Sequence, residues 1–158
     1  MSRIIFSLVL VSIMCACNNE KNKALENEQD YSYLSGLKDY LKKISLEDIF
    51  EDNQEYILFI LDLEGCNSCL ESTLNLIQKN QDERFLVVFS YKDKKLLEKY
   101  KVSFFTKRYI SDSNNLLKIY DTGVIAPTVF HIRKGKIVFV SETNHSNERQ
   151  IKEYFSWN

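Results

Sequence analysis

The stretch Tyr56–Ile77, YILFILDLEGCNSCLESTLNLI, decides how this chain is read. From Tyr56 to Leu63 every residue but Asp62 is apolar, an unbroken run of strand length. Such a run is expected of a strand covered on both faces. After Gly65 the period changes, and Leu70, Thr73, Leu74 and Ile77 fall along one side of a helix. Between the two patterns stands Cys66-Asn67-Ser68-Cys69. A cysteine at a helix start is stabilised as an anion by free backbone N–H groups and the helix dipole, and the thiolate is the form that attacks a disulfide. Cys66, at the exposed mouth, is the candidate nucleophile. Cys69, one turn in, is placed to resolve a mixed disulfide by intramolecular attack.

Outward from this stretch, strand and helix patterns alternate. Tyr31–Lys43 has helical spacing at Tyr33, Leu34, Leu37, Tyr40 and Leu41, continuing to Ile44. Ser45–Asn53 reads as a connector with Ser45 capping a turn. Downstream, a second buried strand is expected over Arg84–Tyr91, a helix over Asp93–Tyr100, a third strand over Phe104–Ile110 and a helix over Ser113–Tyr120. Thr128–Arg133 and Lys136–Ser141 form a hairpin around Lys134-Gly135, and Asn147–Trp157 closes the chain as a helix. The expected fold class is α/β: a central mixed sheet with helices on both faces, parallel neighbours first and a C-terminal hairpin plus helix last. Phe85, Phe89, Phe104, Phe105, Phe130 and Phe139 are core filling at strand spacing.

The 158 residues set the expectation of one folded domain, and 44% hydrophobic with 27% charged residues suits a globular α/β chain. A net charge of −1 supplies no basic face, so nucleic acid is not an expected partner. The first residues read apart from the domain. Arg3 is followed by the apolar run Ile4–Met14, too short to cross a bilayer but suited to the core of an export signal. Met14-Cys15-Ala16-Cys17 then resembles a bacterial lipobox, with Met14 where such motifs usually carry Leu. The expectation is a lipoprotein signal over 1–16, an acylated Cys17, a polar tether over 17–30 reaching about 46 Å, and a domain over 31–158. Cleavage removes Arg3 alone among the charges and leaves 20 basic against 22 acidic side chains. Acyl chains on Cys17 would hold the protein to a membrane without a spanning helix. A plain signal peptide with a stray cysteine is the alternative.

Cysteine usage fits this division. Cys15 leaves with the signal and Cys17 is acylated, so Cys66 and Cys69 remain as thiols in a compartment where disulfides persist. A zinc site wants four ligands, and only His131 and His145 are available to join the pair, so no metal and no cofactor are expected. His131 reads as a packed or rim residue of a strand, and His145 as a loop residue. A purely structural disulfide would close a very short loop and constrain the unfolded chain little.

The order strand, C-x-x-C, helix, and later Leu117–Tyr120, then Ala126-Pro127-Thr128-Val129-Phe130 before the Gly135 hairpin, resembles the thioredoxin superfamily. It is most similar to membrane-anchored thioredoxin-like or redoxin-like thiol–disulfide oxidoreductases, over Tyr56–Trp157. The resemblance implies a cis bond at Pro127, the sole proline of the chain, facing the cysteines, with Ala126 and Pro127 meeting the substrate backbone. It also implies a periplasm-facing monomer that exchanges disulfides with exported proteins, reduction being the expected direction. Three positions depart from the family pattern. Gly65 replaces a tryptophan, Asn67-Ser68 replaces Gly-Pro, and Ile60 replaces a buried acid whose role Asp62 or Glu64 would have to take. The rival readings are a non-enzymatic lipoprotein binding module with idle cysteines, or copper handling, for which the related proteins space their cysteines one residue wider.

Overall fold

Successive side chains of β1 (Glu55–Asp62) point to opposite sides of the sheet, and both sets are buried. Ile57, Phe59 and Leu61 enter one apolar cluster, while Tyr56, Leu58 and Ile60 enter another. The first cluster is closed by α2 (Asn67–Asn80) through Leu70, Leu74 and Ile77, and by α4 (Glu148–Phe155) through Ile151. The second is closed by α1 (Ser35–Lys43) through Leu37, Tyr40 and Leu41. A strand apolar on both faces has thereby acquired a helical layer on each. Phe59 is fully buried between them, and truncating such a residue to alanine typically costs about 3–5 kcal/mol. The computed structural model describes residues 35–80, 82–100 and 108–157. The signal, Cys17, the tether, Tyr33, Leu34, Phe104 and Phe105 lie outside the described residues.

β1 is the middle strand of five. β2 (Phe85–Ser90) runs parallel to it, and β3 (Tyr109–Asp112) runs parallel to β2. β4 (Thr128–Arg133) is antiparallel to β1, and β5 (Lys136–Glu142) is antiparallel to β4, giving the order β3-β2-β1-β4-β5. The β4–β5 turn places Lys134 and Gly135 at φ 52° and 72°, the left-handed pair that a two-residue hairpin requires. Among the described residues no helix is long and apolar enough to cross a membrane.

Four elements differ from the sequence expectation. Ser45 does not cap a turn: it adopts φ 63°, and the 3-10 helix Glu47–Phe50 starts after Leu46 without a side-chain cap. α3 spans only Lys95–Lys99. The third strand pairs through Tyr109–Asp112, because the parallel ladder sets Val87 opposite Tyr109 and Ser90 opposite Asp112. The expected helix over Ser113–Tyr120 is reduced to the 3-10 turn Leu116–Lys118, since Asn115 at φ 51° and ψ 46° cannot lie inside an α-helix.

At the N-terminal end of β1, opposite the cysteines, a polar chain ties the C-terminal helix to the sheet. Nε2 of His131 lies 2.7 Å from Glu55 and Nδ1 lies 2.7 Å from the Tyr154 hydroxyl. A carboxylate only accepts, so Nε2 carries the proton of the neutral ring and Nδ1 accepts from Tyr154. Burial pushes the imidazole below its ordinary value, aided by nearby Arg84 and Arg133 and opposed by Glu55. Burial works to raise Glu55, but hydrogen bonds from His131 and Arg84 outweigh it and hold that carboxyl below the usual range. Both shifts act in one direction. A depressed histidine or carboxyl contributes stability that is present above its unfolded-state value and lost as pH falls through the folded one. Stability is therefore expected to decline on acidification below about pH 7.5 as the His131 contribution is lost, and further below about pH 5.5 as that of Glu55 follows. In His131→Gln, which keeps a donor and an acceptor but does not titrate there, denaturant midpoints should show a flatter slope.

Candidate functional site

The C-terminal end of β1 delivers Cys66. Asp62 ends the strand, the Gly65 N–H closes a turn onto the Asp62 carbonyl at 3.0 Å, and α2 begins at Asn67. Cys66 and Cys69 form a disulfide across this first turn, with their Cα atoms 5.3 Å apart. Cys66 is exposed and Cys69 half-buried. The Cys66 sulfur accepts the N–H of Cys69 at 3.4 Å and sits 3.3 Å from the Ser68 hydroxyl. The first N–H groups of a helix have no intrahelical acceptor, so here the free donor of Cys69 is directed at the neighbouring sulfur. On reduction the same donors and the N-terminal dipole of a fourteen-residue helix would stabilise a thiolate at Cys66.

The Ala126–Pro127 bond is cis. Its loop lies beside the cysteine turn: the Ala126 carbonyl is 3.8 Å from the position a Cβ on Gly65 would take. The same imagined atom would stand 3.1 Å from the Asp62 carbonyl, a close fit. Two threonines lock the parts together. The Pro127 carbonyl accepts the Thr143 N–H at 2.8 Å. Thr73, one turn below Cys69 on α2, donates to the Cys69 carbonyl at 2.7 Å and meets the Thr143 hydroxyl at 2.6 Å. Thr73 was visible in the sequence only as an inward helical position; Thr143 carried no signal at all.

A second group of residues stands behind the turn. The strand register aligns Asp62, Ser90 and Asp112 across the C-terminal ends of the three parallel strands. Asp112 is buried and fully partnered: it accepts from Ser90 at 2.7 Å, from Tyr40 at 3.3 Å, and from the N–H groups of Leu116 and Leu117 at 2.9 and 3.0 Å. Burial, then the Asp112 charge, pushes the Tyr40 phenol far above its ordinary range. Asn115, wholly buried, sets its Oδ1 2.9 Å from the Ser90 hydroxyl, whose one proton it shares with Asp112, and donates to Glu64 at 3.2 Å.

Lys118, on the 3-10 turn those contacts fix, reaches Asp62 at 3.0 Å and Glu64 at 3.1 Å. Burial opposes its charge, but the two carboxylates outweigh it and raise the ammonium above its usual value. The Lys118 bond, with the Lys92 N–H, holds the Glu64 carboxyl below the usual range. Neither acid is simply a solvent-facing residue at a strand end. Asp62 is buried and ion-paired, and Glu64, though exposed, is held by three partners. His131 is remote from this cluster and His145 lies exposed in the turn before α4. Among the described residues no three His, Cys, Asp or Glu side chains come together as a metal-binding group.

A sheet ordered β3-β2-β1-β4-β5, helices on both faces, a C-x-x-C disulfide opening the helix after the central strand and a cis-proline loop beside it make this a thioredoxin-like α/β fold. Several solved structures are similar to this chain. They include a thioredoxin-like protein from Porphyromonas gingivalis, at 23% identity over 66% of this chain and 75% of that one, with a TM-score of 0.43. StoA from Bacillus subtilis is 19% identical over 66% of this chain and 84% of its own, with a TM-score of 0.45. The thioredoxin domain of a thiol–disulfide oxidoreductase from Bacteroides vulgatus is 16% identical over 69% and 83%, with a TM-score of 0.44. No protein-family model and no curated protein matches the chain.

Proposed function

We propose that this chain is an exported thiol–disulfide oxidoreductase that acts, mainly as a reductant, on disulfides of exported proteins. The observation that carries the reading is the exposed Cys66 sulfur, met at the helix start by the Cys69 N–H and the Ser68 hydroxyl. In the reduced protein the Cys66 thiolate attacks one sulfur of a substrate disulfide. A mixed disulfide forms and the other substrate sulfur leaves as a thiolate. The Cys69 thiolate then attacks the Cys66 sulfur, the second substrate sulfur leaves, and the Cys66–Cys69 bond is restored. Two electrons have passed to the substrate, whose thiolates take up protons from water. The Ala126–Pro127 backbone, alongside Gly65, is the surface against which the substrate chain is aligned. A binding module with idle cysteines would be favoured by a buried Cys66, and this one is exposed.

The roles divide the outcomes of two variants. With an insulin-type protein disulfide and a dithiol to recycle the enzyme, Cys66→Ala should abolish turnover. Cys69→Ala should also lose turnover but accumulate mixed disulfides that survive denaturing, non-reducing electrophoresis. Turnover that persists in Cys66→Ala would refute the assignment.

The placement at a membrane is part of the same proposal and is supported by the Met14–Cys17 motif. Acylation of Cys17 and the polar run to Asp30 would hold the domain to the envelope surface. Cys17→Ser should move the protein from the membrane fraction to the soluble or unprocessed pool, with exchange by the purified domain unchanged. Retention on membranes after carbonate washing would contradict the lipid anchor.

A further inference from the structure

Cys66 stands at the N-cap of α2. Its carbonyl accepts the Leu70 N–H at 3.0 Å, the first bond of the helix, and its sulfur accepts the Cys69 N–H at 3.4 Å. Asparagine, aspartate and serine are the usual side chains for that task. The next residue, Asn67, is exposed and is one of them. An asparagine or aspartate side chain commonly accepts the backbone N–H two residues on. This chain makes that contact at Asp52, Asp62, Asp82 and Asp93, each at 2.9–3.0 Å. For Asn67 the N–H two residues on is that of Cys69, the donor that the Cys66 sulfur receives.

The Asn67 oxygen is turned elsewhere: Oδ1 accepts the Tyr100 hydroxyl at 2.6 Å. Tyr100 ends α3, with its N–H bonded to the Leu96 carbonyl at 3.0 Å and its ring packed, like Leu96 and Leu97, against the core on the α2 side of the sheet. Lys99 places its ammonium 4.8 Å from the centre of that ring and donates to the same hydroxyl at 3.3 Å. The phenol thus accepts from the lysine and keeps its one proton for Asn67. A half-buried tyrosine 33 residues away thereby holds the side chain that stands between the two cysteines.

We propose that Tyr100 is a positioning residue for Cys66: by holding the Asn67 oxygen it keeps a competing acceptor off the Cys69 N–H and so reserves that donor for the Cys66 thiolate. The inference rests on the reading of Cys66 as the attacking thiol and adds a residue, outside the cysteine turn, that sets its reactivity.

The test alkylates the full, reduced protein with iodoacetamide from about pH 5 to about pH 9, a range that spans activated and ordinary thiols, and follows each cysteine by mass spectrometry. Tyr100→Phe keeps the ring against the core and removes only the hydroxyl. The freed Asn67 oxygen should then compete for the Cys69 N–H and raise the half-point of the Cys66 profile by about half a unit, which is about threefold less thiolate on its acidic side. In an Asn67→Ala background the competitor is gone, and Tyr100→Phe should move the half-point by less than about 0.1 unit. Asp62, Glu64, Lys92, Lys99 and Lys118 carry the charges beside the turn and are the same in every variant. Lys99 loses its hydroxyl partner in both backgrounds, so the comparison cancels its contribution. An unmoved profile in Tyr100→Phe, or an equal shift with and without Asn67, would overturn the proposal. Modification of Cys66 no faster than that of Cys69 in the unaltered protein would instead refute the reading of Cys66 as the nucleophile, and this inference with it.

Discussion

A strand apolar on both faces cannot stop being covered until it ends, and this constraint on β1 organises the molecule. Ile57, Phe59 and Leu61 require α2 and α4 on one side; Tyr56, Leu58 and Ile60 require α1 on the other. The strand becomes the middle of the sheet, with parallel partners to one side and an antiparallel hairpin to the other. Its C-terminal end is where the chain emerges from both layers, and there the Asp62–Gly65 turn hands over to α2. The cysteine pair therefore sits just beyond Glu64, where this segment first becomes exposed while remaining anchored to the most buried strand. Rigid support below and access above suit the nucleophile proposed at Cys66.

The polar residues around that point are arranged in a second tier. Asp62, Ser90 and Asp112 fall in register because three parallel strands end together. A buried carboxylate is costly unless its lone pairs are filled. Asp112 is filled by a serine, a tyrosine from α1 and two backbone donors. Those two donors fix the start of the 3-10 turn that carries Lys118, which in turn neutralises part of the charge of Asp62 and Glu64 beside the cysteine turn. The Thr73–Thr143 contact links the remaining parts, joining α2, the end of β5 and the proline loop.

Much of this was legible in the sequence because the strongest signals are local. The unbroken run to Leu63, the change of period after Gly65 and the turn residues Lys134-Gly135 each specify one conformation, and β1, α2 and the hairpin follow them. The cis proline was implied by resemblance alone and is present. What escaped was non-local. Asp112 and Asn115 read as loop or helix-start residues, because their burial depends on Tyr40 and Ser90, both distant in sequence. The left-handed Asn115 truncated a helix that the spacing of Leu116, Leu117 and Tyr120 suggested. The third strand was expected over Phe104–Ile110; Tyr109 and Ile110 pair with β2 as expected, and the pairing continues through Ser111 and Asp112, polar residues that only the register explains.

The central claim is that the fold makes Cys66, and not Cys69, the activated thiol. It is tested most directly by alkylating the reduced protein near neutral pH and following each cysteine separately by mass spectrometry. The account predicts that Cys66 is modified about tenfold or more faster, because it is the exposed sulfur and receives the free N–H at the start of α2. Equal rates at the two positions, or faster modification of Cys69, would contradict it.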